Sequence, residues 1–221
     1  MTSIHPAPTL AAYDRKAAAG FRSVYRAEQL LAAAAILFLI PLCILIALTI
    51  FALSRRGPLV RHSRVGWRGA PLGVLKFRTM WSGEDLSSQF FSVESLAGTG
   101  VLVSKSDGDS RVTSRFAAFC RRHSLDELPQ LWHVAKGEMS LVGPRPLTAP
   151  ELQCWYGPAA REILALRPGL TGLWQVRGRS RLTYPQRKRL DIFLTRHATA
   201  GLYFRIVLST IPKVLFGDDA Y

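Results

Sequence analysis

Residues 30–53 read LLAAAAILFLIPLCILIALTIFAL, a run of 24 residues with no charge and one polar side chain, Thr49. At ~1.5 Å per residue, a straight helix of this length measures about 36 Å, more than a hydrocarbon core of ~30 Å. A cleaved leader fits poorly, because its apolar core is about 7–15 residues long and ends at a small-residue cleavage site. This run is longer, starts later and passes into Ser54-Arg55-Arg56. It is a membrane segment.

Its flanks complicate the geometry. Arg15, Lys16, Arg22 and Arg26 precede it, and Arg55, Arg56, Arg61, Arg64 and Arg68 follow. Basic flanks stay on the cytoplasmic side, so both ends of the run are drawn to the same face. Pro41, near the centre, removes a backbone donor and kinks a helix there. Charge alone leaves two readings open: a kinked crossing helix, and a re-entrant helix–kink–helix that dips into one leaflet.

The 221 residues accommodate this segment and one compact domain. With 29 Lys+Arg against 15 Asp+Glu, the chain carries a net charge of +14, which attracts phosphates, nucleic acid or an anionic leaflet. Cys43, Cys120 and Cys154 are odd in number and widely spaced, and the five histidines form no HExxH pair. The pattern predicts a reduced domain with neither a disulfide framework nor a zinc site.

Outward from the apolar run, residues 1–20 read as loose, and Ser23 to Arg26 lead into the membrane helix. Arg64 to Gly69 reads as a turn before a strand at Leu75 to Met80. The polar stretch Trp81 to Ser110 is a surface loop or a lid. Ser114 caps a helix from Arg115 to His123, and a second helix runs to Lys136, stopped by Gly137. Met139 to Val142 is a short strand before the Gly143-Pro144-Arg145-Pro146 turn. Glu151 to Leu166 is helical in pattern, Leu173 to Arg177 suits a strand, and Tyr184 to Thr195 is a basic helix. Tyr203 to Phe216 has apolar residues at helical spacing, suited to lying on a bilayer or to packing in a core.

Of three adjacent acid pairs, Glu84-Asp85 and Asp218-Asp219 lie in polar segments. Asp126-Glu127 follows Arg121, Arg122 and His123 and opens an apolar helix. Two accounts fit it. Ser124 and Glu127 have capping-box spacing; alternatively, a helix start and two arginines make an anion site, where an ionised carboxylate serves as nucleophile or magnesium ligand. Arg145, stiffened between two prolines, has a planar fork suited to phosphate. Lys76 and Arg78 alternate with Phe77, so both side chains can leave one strand face.

Taken together, Arg64-Val-Gly, Lys76-Phe-Arg-Thr-Met80, Ser124-Leu-Asp-Glu-Leu-Pro-Gln-Leu131, Gly137-Glu-Met-Ser-Leu-Val-Gly-Pro-Arg-Pro146 and Arg167-Pro-Gly-Leu-Thr-Gly-Leu-Trp174 are far more specific than any one of them. In this order they resemble the bacterial sugar transferases, the monotopic phosphoglycosyl transferases that prime exopolysaccharide or O-antigen synthesis, over residues 27–217. The resemblance implies transfer of a sugar phosphate from a UDP-sugar to polyprenyl (undecaprenyl) phosphate, with release of UMP. It implies Asp126 as the nucleophile of a covalent phosphosugar intermediate, Glu127 as its partner carboxylate, and Mg2+ held at Asp126. It also implies Arg121 and Arg145 as phosphate contacts; Lys76 and Arg78 join them as candidates, and Asp191 is a further one. Many relatives have Ser where Ile40 precedes the kink proline, and the 81–110 stretch matches poorly.

The expected fold is therefore α/β, mostly helical with short strands. Residues 1–26 form a loose basic segment, 27–56 a re-entrant membrane helix, and 57–221 a cytoplasmic catalytic domain with amphipathic interfacial helices, at the bacterial inner membrane. The expected partners are UDP-sugar, polyprenyl phosphate and membrane lipid, and no nucleic acid; a homo-oligomer is left open. The alternative reading is a membrane-tethered binding or scaffold protein whose basic surface holds anionic partners.

Overall fold

The computed structural model describes residues 10–81, 112, 114–178 and 181–217. Of the polar stretch 81–110 only Trp81 lies among them, so the choice between lid and loop falls outside the described residues. The rest is mostly helical, with two small sheets.

Helix α1, Leu10–Ser54, contains the whole apolar run and has Pro41 inside it. It begins upstream of the expected Ser23, so residues 10–20 are helical. No Gly or Pro interrupts 10–19, and alanines, the best helix formers, recur there. The section Val24–Ser54 is long and apolar enough to cross a membrane, yet only 11% of its most apolar window is buried in the protein. Leu30, Leu31, Leu37, Phe38, Leu45 and Leu48 are all exposed, Phe38 by 84%. A soluble core helix hides such residues; a contiguous apolar surface of this kind marks a membrane or protein interaction face.

The opposite face of α1 is packed. Ala32, with Ala35, Ile36 and Leu39 beside it, meets Leu72, Val74, Leu131 and Val134. Further along, Ile46 and Ile50 meet Phe77 and Cys120. Below the run, Phe21 sits edge-on to Tyr203, their centroids 5.4 Å apart. Glu28, 3% exposed, is clamped at the same level. Its Oε2 accepts from Tyr203 Oη at 2.6 Å, Ser140 Oγ at 2.9 Å and Leu141 N at 3.0 Å. Burial pushes the Glu28 carboxyl above the usual range, and these donors oppose that rise.

Strand β1, Leu59–Val65, pairs antiparallel with β2, Pro71–Phe77, in a hairpin. Between them Trp67–Gly69 forms a 3₁₀ turn. The sequence reading missed β1, which alternates exposed and half-buried residues with too few apolar ones to stand out, and placed β2 a few residues late. Helix α2, Arg115–Arg122, starts as expected at Ser114, whose Oγ accepts from Ala117 N at 3.0 Å. The predicted second helix is instead a 3₁₀ turn, Leu125–Gln130, followed by a short α3, Leu131–Ala135. Pro129 inside the turn removes the donor that would continue an α-helix back through Asp126.

Strand β3, Ser140–Val142, pairs parallel with β4, Gly169–Thr171. The stretch 149–163 is broken into short α, π and 3₁₀ pieces where one helix was expected; Gly157 takes a positive φ and Pro158 follows it. Leu173–Arg177, expected as a strand, is helix α4. Tertiary packing overrides the β-leaning Leu-Trp-Gln-Val pattern: Leu173 and Trp174 both point into the core. Helices α5, Tyr184–Arg196, and α6, Ala200–Phe216, complete the domain. On α6, Tyr203 and Ile206 are buried, while Phe204, Leu208, Leu215 and Phe216 are exposed.

Candidate active site

The dyad sits on the 3₁₀ turn between α2 and α3. Its entry is Ser124, in the left-handed region at φ 56°, where a residue with a Cβ is uncommon. The capping box expected here does not form. Ser124 makes no side-chain cap; its carbonyl accepts from Glu127 N at 3.1 Å, closing the turn through the backbone. The Glu127 carboxylate is thereby released to face away, toward β2. There Lys76 Nζ donates to Glu127 Oε1 at 2.6 Å and stands 4.0 Å from Asp126 Oδ2. Asp126 is 8% exposed.

Arg145 approaches from the other side, its Nη2 3.5 Å from Glu127 Oε1. Its position follows from the β3–β4 pair. A Cβ at Gly143 would run into the Arg167 carbonyl and the Gly169 amide, and one at Gly169 into the Gly143 backbone. Gly143 N donates to Thr171 O at 3.0 Å, and Gly169 N to Pro144 O at 2.8 Å. The two glycines let the strands approach, and the proline turn then throws Arg145 toward the dyad. Asp126, Glu127, Lys76 and Arg145 are thus brought together by three separate segments.

The remaining candidates behave differently. Arg78 lies just past the end of β2, two residues after Lys76, and its Nε donates to Gly57 O at 2.8 Å, bracing the start of the hairpin. Arg121 lies on the last turn of α2, and its Nε is buried with no hydrogen-bond partner among the described residues. Asp191 is fully buried on α5. It accepts from Tyr156 Oη at 2.7 Å, and burial pushes its carboxyl up to about 7. Pro41 lies inside α1, away from all of these in sequence.

Beside the dyad is a second polar group that the sequence reading did not assign. Val65 N donates to Leu147 O at 2.8 Å, stitching β1 to the segment that follows Arg145. Arg64 then reaches Glu151, Nη1 to Oε2 at 2.9 Å. Glu151 is itself fixed in a capping box with Thr148, and Tyr184 Oη donates to its Oε1 at 3.1 Å. Burial and the Glu151 charge push the Tyr184 phenol up to about 12. Arg187 lies 4.7 Å from the Trp174 ring centroid and 5.2 Å from that of Tyr184. Burial lowers the pKa values of Arg64 and Arg187, and the nearby Arg145 charge lowers both further. Arg64 belongs to the Arg64-Val-Gly motif, while Arg187 is one of several basic residues on α5 and carries no local signal of its own.

Among the described residues no group of three or more His, Cys, Asp or Glu gathers to hold a metal. Magnesium, however, is commonly held by one or two carboxylates together with substrate phosphates. The Asp126 and Glu127 carboxylates, adjacent in one turn, fit that donor set.

Residues 22–217 match the family described as bacterial sugar transferase. The exopolysaccharide production protein ExoY of Rhizobium meliloti (strain 1021) is 38% identical over 196 residues, 88% of this chain and 86% of that protein. The UDP-glucose:undecaprenyl-phosphate glucose-1-phosphate transferase of Caulobacter vibrioides is 40% identical over 189 residues, 82% of this chain and 65% of that protein. In the UDP-galactose-lipid carrier transferase of Erwinia amylovora, 38% identical over 180 residues, the match takes 80% of this chain and 37% of that protein. This chain therefore spans little more than a third of that longer relative. A match of this extent, with these relatives, shows that the chain belongs to the bacterial sugar transferase family.

Proposed function

We propose that this chain transfers a sugar 1-phosphate from a UDP-sugar to polyprenyl phosphate and releases UMP, at the cytoplasmic face of a bacterial membrane. The observation that carries the reading is the dyad geometry: Asp126 and Glu127 on one tight turn, with Lys76 2.6 Å and Arg145 3.5 Å from Glu127. Two fixed cations beside two carboxylates make a site for a doubly charged diphosphate, which a carboxylate alone would repel.

In the first step an Asp126 Oδ attacks the phosphorus next to the sugar. The bond from that phosphorus to the bridging oxygen breaks, and UMP leaves with the electron pair. In the second step a polyprenyl phosphate oxygen attacks the same phosphorus and Asp126 departs as carboxylate. Glu127 holds Lys76 and Arg145 in place and accepts the proton of a singly ionised lipid phosphate. Asp126 and Glu127 would hold Mg2+, which would supply charge neutralisation between carboxylate and diphosphate.

The membrane geometry we propose is re-entrant. Both halves of the apolar run, Ala32 to Leu39 and Cys43 to Ile50, rest on the same domain, the first against Leu131 and Val134 and the second against Phe77 and Cys120. A helix crossing the bilayer would have to carry that domain through the hydrocarbon core. A hairpin-like dip leaves one face of α1 on protein and the other in lipid. The exposed face of α6, Phe204, Leu208, Leu215 and Phe216, suits the same interface.

The test is UMP release by the purified chain with magnesium, polyprenyl phosphate and a panel of UDP-sugars. Turnover with one or more sugars, and a phosphosugar adduct on Asp126 when the lipid is withheld, are the expected results. No UMP from any sugar would overturn the reading. Labelling of a cysteine introduced near residue 20 tests the topology: access only from the periplasm would exclude the re-entrant dip.

A further inference from the structure

We infer that Arg64 and Arg187 bind the nucleotide-side phosphate of the donor, the one that departs with UMP, and that Arg145 stands between them and the dyad. The inference rests on the transferase reading above. It follows from the direction in which the cations run. Lys76 and Arg145 both meet Glu127. Beyond Arg145, the Val65–Leu147 bridge leads to Arg64, then through Glu151 and Tyr184 to Arg187.

The chemistry requires cations in that place. When the Asp126–phosphorus bond forms, the phosphorus–oxygen bond to UMP breaks and its electron pair stays on the departing phosphate. That phosphate gains one negative charge, on the side of the phosphorus away from Asp126. Donors already fixed in place stabilise developing charge without reorganising. Arg64 is fixed by Glu151, which its capping box with Thr148 holds in turn. Arg187 is fixed by the Trp174 and Tyr184 rings. Arg64 and Arg187 each feel the repulsion of the Arg145 charge, and the Glu151 charge acts on both. A phosphate dianion relieves that repulsion. A merely structural Arg64–Glu151 pair would tie β1 to the 149–163 stretch and do no more.

Only the first of the two chemical steps involves UMP, so the two roles separate. Purified full-length protein in detergent, with magnesium and a UDP-sugar that wild type turns over, is followed by single turnover. UMP and adduct formation report the first step. Discharge of the preloaded adduct to polyprenyl phosphate reports the second. The variants are Arg187→Gln and the double variant Arg64→Gln/Glu151→Gln, which leaves no carboxylate orphaned. Each is expected to weaken inhibition by UMP about tenfold to hundredfold, the loss of one charge-assisted hydrogen bond. The first step should slow by a similar factor while the second keeps its wild-type rate. Arg187→Lys, which preserves charge but not the fork, should recover part of the loss. Unchanged UMP inhibition, or equal slowing of both steps with a lowered Tm, would overturn the assignment. A wild type that forms neither UMP nor adduct would instead defeat the transferase reading on which it rests.

Discussion

Asp126 and Asp191 are both buried aspartates that the sequence marks as candidates, and their surroundings differ in kind. Asp126 lies at 8% exposure on a tight turn, next to another carboxylate, with Lys76 4.0 Å away and Arg145 reaching its neighbour. Asp191 is wholly buried in the middle of α5, receives one phenolic hydrogen bond and has its carboxyl pushed up to about 7 by burial. The first carboxylate is surrounded by what an anionic substrate needs; the second is surrounded by what a neutral acid needs. Burial depth does not separate them. The strength of the nearby positive charge and a path to solvent do: Lys76 stands 4.0 Å from Asp126, whereas the Arg187 charge offsets only part of the burial of Asp191.

Removing the first carboxylate has the largest expected effect. Asp126→Asn should lower UMP release by at least about a thousandfold, since an amide cannot replace the covalent nucleophile. Membrane association should be unchanged, because the substitution leaves the exposed apolar faces of α1 and α6 intact. Asp191→Asn should retain readily measurable turnover in the same assay. If the two variants lose activity equally, the contrast between them is broken and Asp191 belongs to the reacting groups.

The cations around Asp126 come next. Lys76→Gln should cost about tenfold to hundredfold in kcat/KM, from losing a charge-assisted contact and leaving Glu127 poorly paired. Arg78→Gln, two residues further on and just past β2, should cost less than Lys76→Gln, because its Nε braces Gly57. Steady-state rates of UMP release for the two variants check this; a larger loss at Arg78 would move the phosphate site along β2.

The pattern of successes and misses along the chain has physical reasons. The apolar run and the helices around Ser114, Tyr184 and Tyr203 were legible because caps and 3.6-residue spacing are local signals. The strand β1 was not, since a hairpin with one wet face and few apolar residues leaves little alternation to read. Leu173–Arg177 was misread because its state is set by where Leu173 and Trp174 are buried. At the site, Asp126, Glu127, Lys76 and Arg145 were readable from motifs, but their meeting depends on the parallel β3–β4 pair and on a 3₁₀ turn. The expected Ser124–Glu127 cap would have engaged the very carboxylate that Lys76 holds. Arg64, Glu151 and Arg187 come together through contacts as distant as 87 residues, which no local pattern displays.

Glu28 extends the comparison to a third buried acid, one that joins the membrane helix to the domain. It receives three donors, from Tyr203, Ser140 and Leu141, on a single oxygen. Tyr203→Phe removes the shortest of these while keeping the ring that Phe21 meets. It should cost about 1.5–3 kcal/mol, the usual range for a hydrogen bond to a charged group. Denaturant titration of the detergent-solubilised protein measures this. A cost near zero would mean that apolar packing alone seats α1.

The last effect is a pH dependence specific to Asp191. Its folded pKa of about 7 lies above the ordinary value of 3.8, so folding favours the protonated acid. The stability this group contributes is complete below about pH 4, falls as pH rises, and is gone once pH passes about 7, at ~1.4 kcal/mol per pH unit within that window. Asp191→Asn replaces the neutral acid with a neutral amide that does not titrate. The variant should therefore match wild type only near pH 4 and gain on it steadily from pH 5 to 7.5, with Tyr156 keeping its hydrogen bond to the amide oxygen. Thermal melts of both proteins across pH 5–8 in one detergent decide it. A wild-type-minus-variant difference that stays flat across that range would show that Asp191 is held as a charged carboxylate, and the distinction from Asp126 would then rest on access alone.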